Sequence, residues 1–189
     1  MHRGGGMRVI AGDHKGRQLK AVPGKTTRPT TDKVKEAVFQ VIGPFFTGGA
    51  VLDLFAGSGS LGIEALSRGM ERAVFVDKHP KAIHTIHENL RTLNITGQAE
   101  VFRADAYRAV QAAAKRELAF SLILLDPPYK QGGYEKLLKV IIEQELLHPD
   151  GMIYCEHDTA EVLPETVGSL AVWKQENYGG TTAMTIYRR

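Results

Sequence analysis

Apolar and polar positions change their rhythm along the chain. Val9-Ile10-Ala11 and Gln18-Leu19-Lys20-Ala21-Val22 flank the turn-forming run Gly12-Asp13-His14-Lys15-Gly16, which predicts a short β-hairpin closed by Pro23-Gly24. From Thr31 or Asp32 as N-cap, Val34, Ala37, Val38, Val41 and Ile42 recur at helical spacing as far as Gly43-Pro44, so an amphipathic helix is expected there. Beyond it, short apolar runs alternate with helical stretches. Strands are expected over Ala50–Phe55, Ala73–Val76, Glu100–Arg103, Ser121–Leu125 and Met152–Cys155. Between them lie helices starting at Ser60 and at Pro80, the latter with Ile83, Ile86, Leu90 and Leu93 on one face, and helices over Ala106–Lys115 and Tyr134–Leu147. Leu170–Gln175 and Ala183–Tyr187, joined by Asn177-Tyr178-Gly179-Gly180, read as a closing hairpin.

Leu122-Ile123-Leu124-Leu125 is apolar throughout, as a strand must be when helices cover both faces of a parallel sheet. The expected fold is therefore α/β: a doubly wound, mostly parallel sheet with a C-terminal antiparallel hairpin and an N-terminal β-hairpin appendage. Three segments are distinguished. Residues 1–6 form a leader or tag-like segment, 7–29 a basic hairpin and linker, and 30–189 the main domain.

Composition narrows the class. With 189 residues, 43% hydrophobic and 24% charged, the chain is long enough to bury a core without disulfides or structural metals. Its one cysteine, Cys155, lies in an apolar strand and reads as a buried core thiol suited to a reducing compartment. No apolar run approaches the ~18 residues of a membrane span, and no secretory leader pattern precedes the domain, so a soluble, cytoplasmic protein is expected. His84 and His87 share a helix face but lack further ligand residues nearby, so no metal site is expected. Trp173 reads as core, whereas Tyr178 fits either a turn or the border of a binding site.

The net charge of +3 is small, but its distribution is uneven. Residues 1–36 hold nine Lys and Arg against three acids, while the other 153 residues hold 15 against 18. A basic segment thus precedes an acidic body, either as a solvated terminus or as a surface for phosphates.

Candidate chemistry lies at strand ends, where an open α/β sheet binds ligands. The first strand of the main domain runs through Asp53 and Phe55 into Gly57-Ser58-Gly59-Ser60-Leu61-Gly62. That spacing alone fits either a dinucleotide fingerprint or a tight turn. Asp77, beside Lys78, ends the second strand twenty residues after Gly57, where an acid can accept from both ribose hydroxyls of an adenosine. Asp105, before Ala106, ends the third and is placed to meet an adenine amine. Either acid by itself also fits a helix N-cap; together with the glycine turn they favour an adenosine ligand. The fourth strand ends in Asp126-Pro127-Pro128-Tyr129, whose prolines enforce a rigid exit from the sheet.

At this tetrad the sequence resembles the class I S-adenosylmethionine-dependent methyltransferases, which implies a seven-stranded Rossmann-like sheet. The tetrad is similar to that of enzymes methylating exocyclic or amide nitrogens. Met7-Arg8-Val9-Ile10-Ala11-Gly12, Arg28-Pro29-Thr30-Thr31-Asp32, Asp53-Leu54-Phe55-Ala56-Gly57-Ser58-Gly59, the tetrad, and Tyr178-Gly179 together resemble the RsmD-type 16S rRNA guanine-N2 methyltransferases. The resemblance runs over the whole chain from Met7. It implies S-adenosylmethionine as methyl donor, S-adenosylhomocysteine as product, and the N2 amine of guanine 966 of 16S rRNA, within a small-subunit intermediate or 30S particle, as target.

On that resemblance the cofactor residues are Asp53, Phe55, Gly57, Ser58, Gly59, Asp77, Lys78, Asp105 and Ala106. The catalytic residues are Asp126, Pro127, Pro128 and Tyr129. Asp126 and the Pro127 carbonyl would accept the two amine hydrogens while Tyr129 stacks on the base. Arg8, Lys15, Arg17, Lys20 and Lys25, with Arg28 and Thr30 closer to the active site, would meet RNA. Three alternatives stay open: an adenine-N6 or other amino methyltransferase on DNA or RNA, a glutamine-N5 protein methyltransferase, and a non-catalytic RNA-binding assembly factor with the same fold.

Overall fold

The computed structural model describes residues 7–24, 31–127 and 133–189. The leader, Lys25, Arg28 and Thr30, and Pro128 and Tyr129 lie outside the described residues. The main sheet is built from β3 (Ala50–Asp53), β4 (Arg72–Asp77), β5 (Ala99–Arg103), β6 (Phe120–Leu125), β7 (Leu147–Asp158), β8 (Thr166–Val167), β9 (Leu170–Asn177) and β10 (Thr182–Arg188). Its strand order is β5-β4-β3-β6-β7-β10-β9-β8. The first five are mutually parallel and the last three antiparallel, so the sheet has the expected mostly parallel body and C-terminal hairpin. Beyond the seven expected strands, β8 adds a two-residue edge.

Helices α1 (Asp32–Ile42), α2 (Ser60–Ser67) and α3 (Pro80–Thr92) cover one face. Helices α4 (Ala106–Lys115) and α5 (Tyr134–Glu143) cover the other. Two cores result. Phe39, Ile63, Phe75, Ile86, Leu124 and Tyr154 lie in the first, and Leu52, Val110, Ile123, Leu138 and Tyr187 in the second. Residues 122–125 feed both cores alternately, because successive side chains of a strand point to opposite faces. Cys155 is fully buried between β6 and β10. No helix among the described residues is long and apolar enough to cross a membrane.

Several boundaries differ from the sequence expectation. Helix α5 stops at Glu143 rather than Leu147, because Glu145 takes a positive φ of 56° and Leu146 turns back to bond Ile141. That frees Leu147 to start β7. The N-terminal hairpin pairs only β1 (Met7–Arg8) with β2 (Gln18–Leu19). Its would-be strand continuation is claimed by the helices beneath. The amides of Ile10 and Ala11 donate to the two oxygens of Glu64 at 3.0 and 3.1 Å, and Asn89 accepts from Lys20 N at 2.8 Å.

Met7, Val9 and Leu19 insert into the first core, each such burial contributing about 1.5–3 kcal/mol. Beneath them the Lys35 ammonium is fully buried. It donates to Arg8 O at 2.7 Å and Ser60 Oγ at 2.8 Å, and lies 3.6 Å from Glu64, which also pairs with Arg68 at 2.7 Å. Burial lowers the Lys35 pKa against the opposing pull of Glu64. Removing one partner of such a network leaves a buried charge uncompensated, so α1, α2 and the hairpin are held as a unit.

Trp173 overturns its core assignment. It is 40% exposed on β9, with Arg188 and Lys174 over its ring at 4.9 and 5.4 Å. Near the chain end most of β9 is exposed, so the side chain has little to pack beneath.

Candidate active site

The C-terminal ends of the parallel strands open into one cavity of about 980 Å³, within the range of cofactor and ligand sites. Asp53, Phe55, Gly57, Ser58, Asp77, Lys78, Asp105, Ala106, Asp126 and Pro127 all line it. Of the described residues expected to bind a cofactor or act in catalysis, Gly59 alone is not part of the lining. It serves the turn instead: as N-cap of α2 it has φ 87°, and its amide bonds Ala56 O at 2.8 Å. Gly57, at φ 58°, faces open space where a Cβ would meet nothing within 4 Å. Backbone there can approach a ligand closely. Gly62 has a different duty. A Cβ on it would lie 2.4 Å from the Phe75 ring, so its lack of a side chain lets α2 pack directly on β4.

Backbone donors hold the acids at the β3–β5 end. Asp77 accepts from Gly57 N and from His79 N, both at 2.9 Å, one on each oxygen. This carboxylate therefore ties the glycine turn to the start of α3. Asp105 caps α4 by accepting from Arg108 N at 3.0 Å and also lines the cavity. Asp53 is buried and accepts from Gly62 N at 3.1 Å. Burial outweighs that bond and pushes its carboxyl up to about 7.

The β6–β7 end is built from side chains. Asp126 follows β6 and is raised well above the usual carboxylate range, first by burial, then by Glu156, then by Asp53. Glu156, on β7, accepts from the fully buried Tyr154 hydroxyl at 2.8 Å. Tyr134 anchors the strand ends from below, its single O–H shared between Leu125 O, at 3.2 Å, and Glu156 O. Tyr178, Gly179, Gly180 and Thr182, from the β9–β10 turn, complete this wall. Tyr178, which by sequence fits either a turn or a site border, lines the cavity, as do Glu156 and Lys33, which no local motif marks as site residues. Only the neighbouring Tyr154 and the strand-end position marked Glu156.

The described basic candidates lie away from the cavity lining. Lys15 is exposed on the hairpin turn. Arg17 donates to Thr92 O at 2.9 Å, Lys20 lies 3.3 Å from Glu88, and Arg8 lies 3.6 Å from Asp32 with a 60% exposed side chain. His84 is exposed 3.6 Å from Glu88, and among the described residues no group of three or more His, Cys, Asp or Glu could hold a metal ion.

The family model described as "Conserved hypothetical protein 95" matches residues 7–188. A Bacillus subtilis protein named "Putative rRNA methyltransferase YlbH" is 57% identical over 97% of this chain and 99% of its own length. "Ribosomal RNA small subunit methyltransferase D" of Escherichia coli K12 is 31% identical over 100% of this chain and 93% of its own. Among solved structures, "Putative methyltransferase yhhF from Escherichia coli" superposes with a TM-score of 0.84 at 29% identity, covering 98% of each chain. With its glycine turn, strand-end acids and N-terminal hairpin spanned by one full-length match, the chain belongs to the conserved hypothetical protein 95 family, which has a methyltransferase fold.

Proposed function

We propose that this protein transfers a methyl group from S-adenosylmethionine to the exocyclic N2 of a guanine in 16S rRNA, by family resemblance guanine 966. The carrying observation is the shared cavity: the glycine turn with Asp77 and the strand end Asp126-Pro127 face the same space. The open space at Gly57, the backbone-held acids and the cavity volume fit an adenosine-bearing ligand. Asp77 would meet the ribose hydroxyls, Asp105 the adenine amine, and Asp53 the ligand's ammonium group. When bound, the sulfonium supplies an already activated methyl group, leaving alignment and electrostatics to the protein.

Guanine N2 is a weak nucleophile because its lone pair is delocalised into the ring. Asp126 and the Pro127 carbonyl accept its two hydrogens, which turns the lone pair toward the methyl carbon and stabilises positive charge growing on nitrogen. The raised Asp126 carboxyl suits this task once a cationic donor sits beside it, since positive charge favours the ionised form. Tyr129 would stack on the base. The target must be unpaired or extruded to enter. Arg8, Lys15, Arg17, Lys20, Lys25, Arg28 and Thr30 would meet the RNA, as the substrate names of the relatives suggest.

The test is labelled methyl transfer to 16S RNA and to 30S particles from a strain lacking the enzyme, followed by mapping of the modified nucleotide. A single labelled guanine N2 is expected. Label on adenine N6 or on protein overturns the reading.

A further inference from the structure

In the proposed function the purine base meets the side-chain-built end of the cavity, and the groups there carry a pattern. In β6 and β7, Leu125 pairs with Cys155 and Leu124 with Tyr154. Leu124 and Tyr154 both enter the core beneath α1–α3. Side chains alternate along strands, so Asp126, just after β6, and Glu156, next after Cys155 within β7, emerge on that same face. Both line the cavity. Their proximity is visible electrostatically, because Glu156 is the strongest charge acting on Asp126. Tyr154 donates to Glu156 Oε1 from a fully buried position, which fixes the carboxylate's orientation. A carboxylate carries about four acceptor positions, so Glu156 can hold Tyr154 and further partners at once, a ligand donor among them. Tyr178 lines the same end, and its hydroxyl is buried with no hydrogen-bond partner among the described residues. A buried hydroxyl without a partner carries a desolvation penalty that a ligand acceptor would relieve.

These groups present two acceptors and one donor. The Watson–Crick edge of guanine presents the complement: the N2 amine and N1–H as donors, then O6 as acceptor. Adenine offers a lone pair at N1 and a donor at N6, so it would face a carboxylate with a lone pair and the phenol with an amine. Resting on the reading of Asp126 as partner of the N2 amine, we infer that Glu156 and Tyr178 select guanine, Glu156 by accepting from N1–H and Tyr178 by donating to O6.

The test uses the full chain and 16S RNA assembled by ligation, with either guanosine or 2-aminopurine riboside at the mapped target. 2-Aminopurine keeps the amine to be methylated but has a lone pair at N1 and lacks O6. The wild-type protein should prefer guanine in kcat/KM by roughly 100-fold or more, as expected when a site built for hydrogen bonds meets an analogue lacking them. Glu156→Gln retains an acceptor for Tyr154 but places an amide toward N1. It should lower kcat/KM on guanine by roughly 10- to 100-fold, raise it in absolute terms on 2-aminopurine, and leave S-adenosylmethionine affinity and thermal stability unchanged. Tyr178→Phe should narrow the preference less, by about tenfold, without the gain on 2-aminopurine. The inference is overturned if both variants keep the full guanine preference, or if Glu156→Gln weakens both substrates equally. Absence of any wild-type transfer to guanosine RNA would sink the proposed function instead.

Discussion

The two ends of the cavity are built from different materials. At the β3–β5 end the acids are held by main chain: Asp77 by Gly57 and His79, Asp105 by Arg108, and Asp53 by Gly62. At the β6–β7 end Asp126 and Glu156 sit among side chains, with Tyr154 oriented on Glu156 and Tyr178 beside them. Backbone groups are present whatever the residue, so the first end suits a ligand that stays the same. Side chains can be exchanged singly, so the second end suits the part of the reaction that defines a substrate. The proposed division places the methyl donor at the first end and the base at the second.

That comparison breaks most readily at Asp126. Replacing it with alanine should lower methyl transfer by roughly 10³-fold while S-adenosylmethionine still binds, measured by single-turnover transfer and calorimetry; near-normal turnover removes it from the chemistry. Asp77→Asn acts at the opposite end. One of its two backbone donors loses an anionic acceptor, so cofactor affinity should fall roughly 10- to 100-fold, with RNA binding retained in a filter assay.

Asp53 closes β3, the strand of the first end that adjoins β6, and its effect depends on pH. Its carboxyl is pushed up to about 7 from an ordinary 3.8 by burial. The native state therefore holds this proton more tightly than the unfolded chain does. The stabilisation is complete below about 3.8 and is lost as pH rises through about 7, a change on the order of 4 kcal/mol. Urea unfolding at a series of pH values should show a shallower slope in Asp53→Asn than in wild type, the raised Asp126 carboxyl keeping its own share of the same sign. Cofactor affinity should rise over the same interval as the carboxylate forms.

The smallest effect is expected outside the cavity. Replacing Lys15, Arg17 and Lys20 together should weaken RNA binding by about tenfold at moderate salt and reduce its salt slope by about three, leaving cofactor affinity unchanged. A loss of cofactor affinity instead would mark the hairpin as a structural brace for the site.

Much of the parallel sheet was legible because its signals are local. The run 122–125 had to be a covered strand, and Asp105 marked the start of α4, whose span Ala106–Lys115 agrees with its apolar spacing. The glycine turn was legible for the same reason, since positive φ at Gly57 and Gly59 is required within a few residues of chain. Where contacts come from afar, the reading failed or fell short. Strand β1 begins two residues before the expected Val9, and Glu64 and Asn89, more than 50 residues away, take amides that a longer hairpin would use. Lys35 belongs by sequence to the basic segment of residues 1–36, yet it is buried against Glu64, Ser60 and Arg8. Trp173 looked like core on hydrophobicity, but the exposed strand beside it leaves the ring to Arg188 and Lys174.

The sequence by itself determined the class of fold, the glycine turn and the order in which acids appear at strand ends, because strand, turn and cap preferences act between near neighbours. Tertiary structure decided which of those acids meet. Asp126 and Glu156 are 30 residues apart and become neighbours only through the parallel register of β6 and β7, while Tyr178 reaches them through the antiparallel return of β9 and β10. No periodicity along the chain encodes those pairings. They arise because burying both faces of the sheet fixes its register, and the register sets which side chains share the cavity.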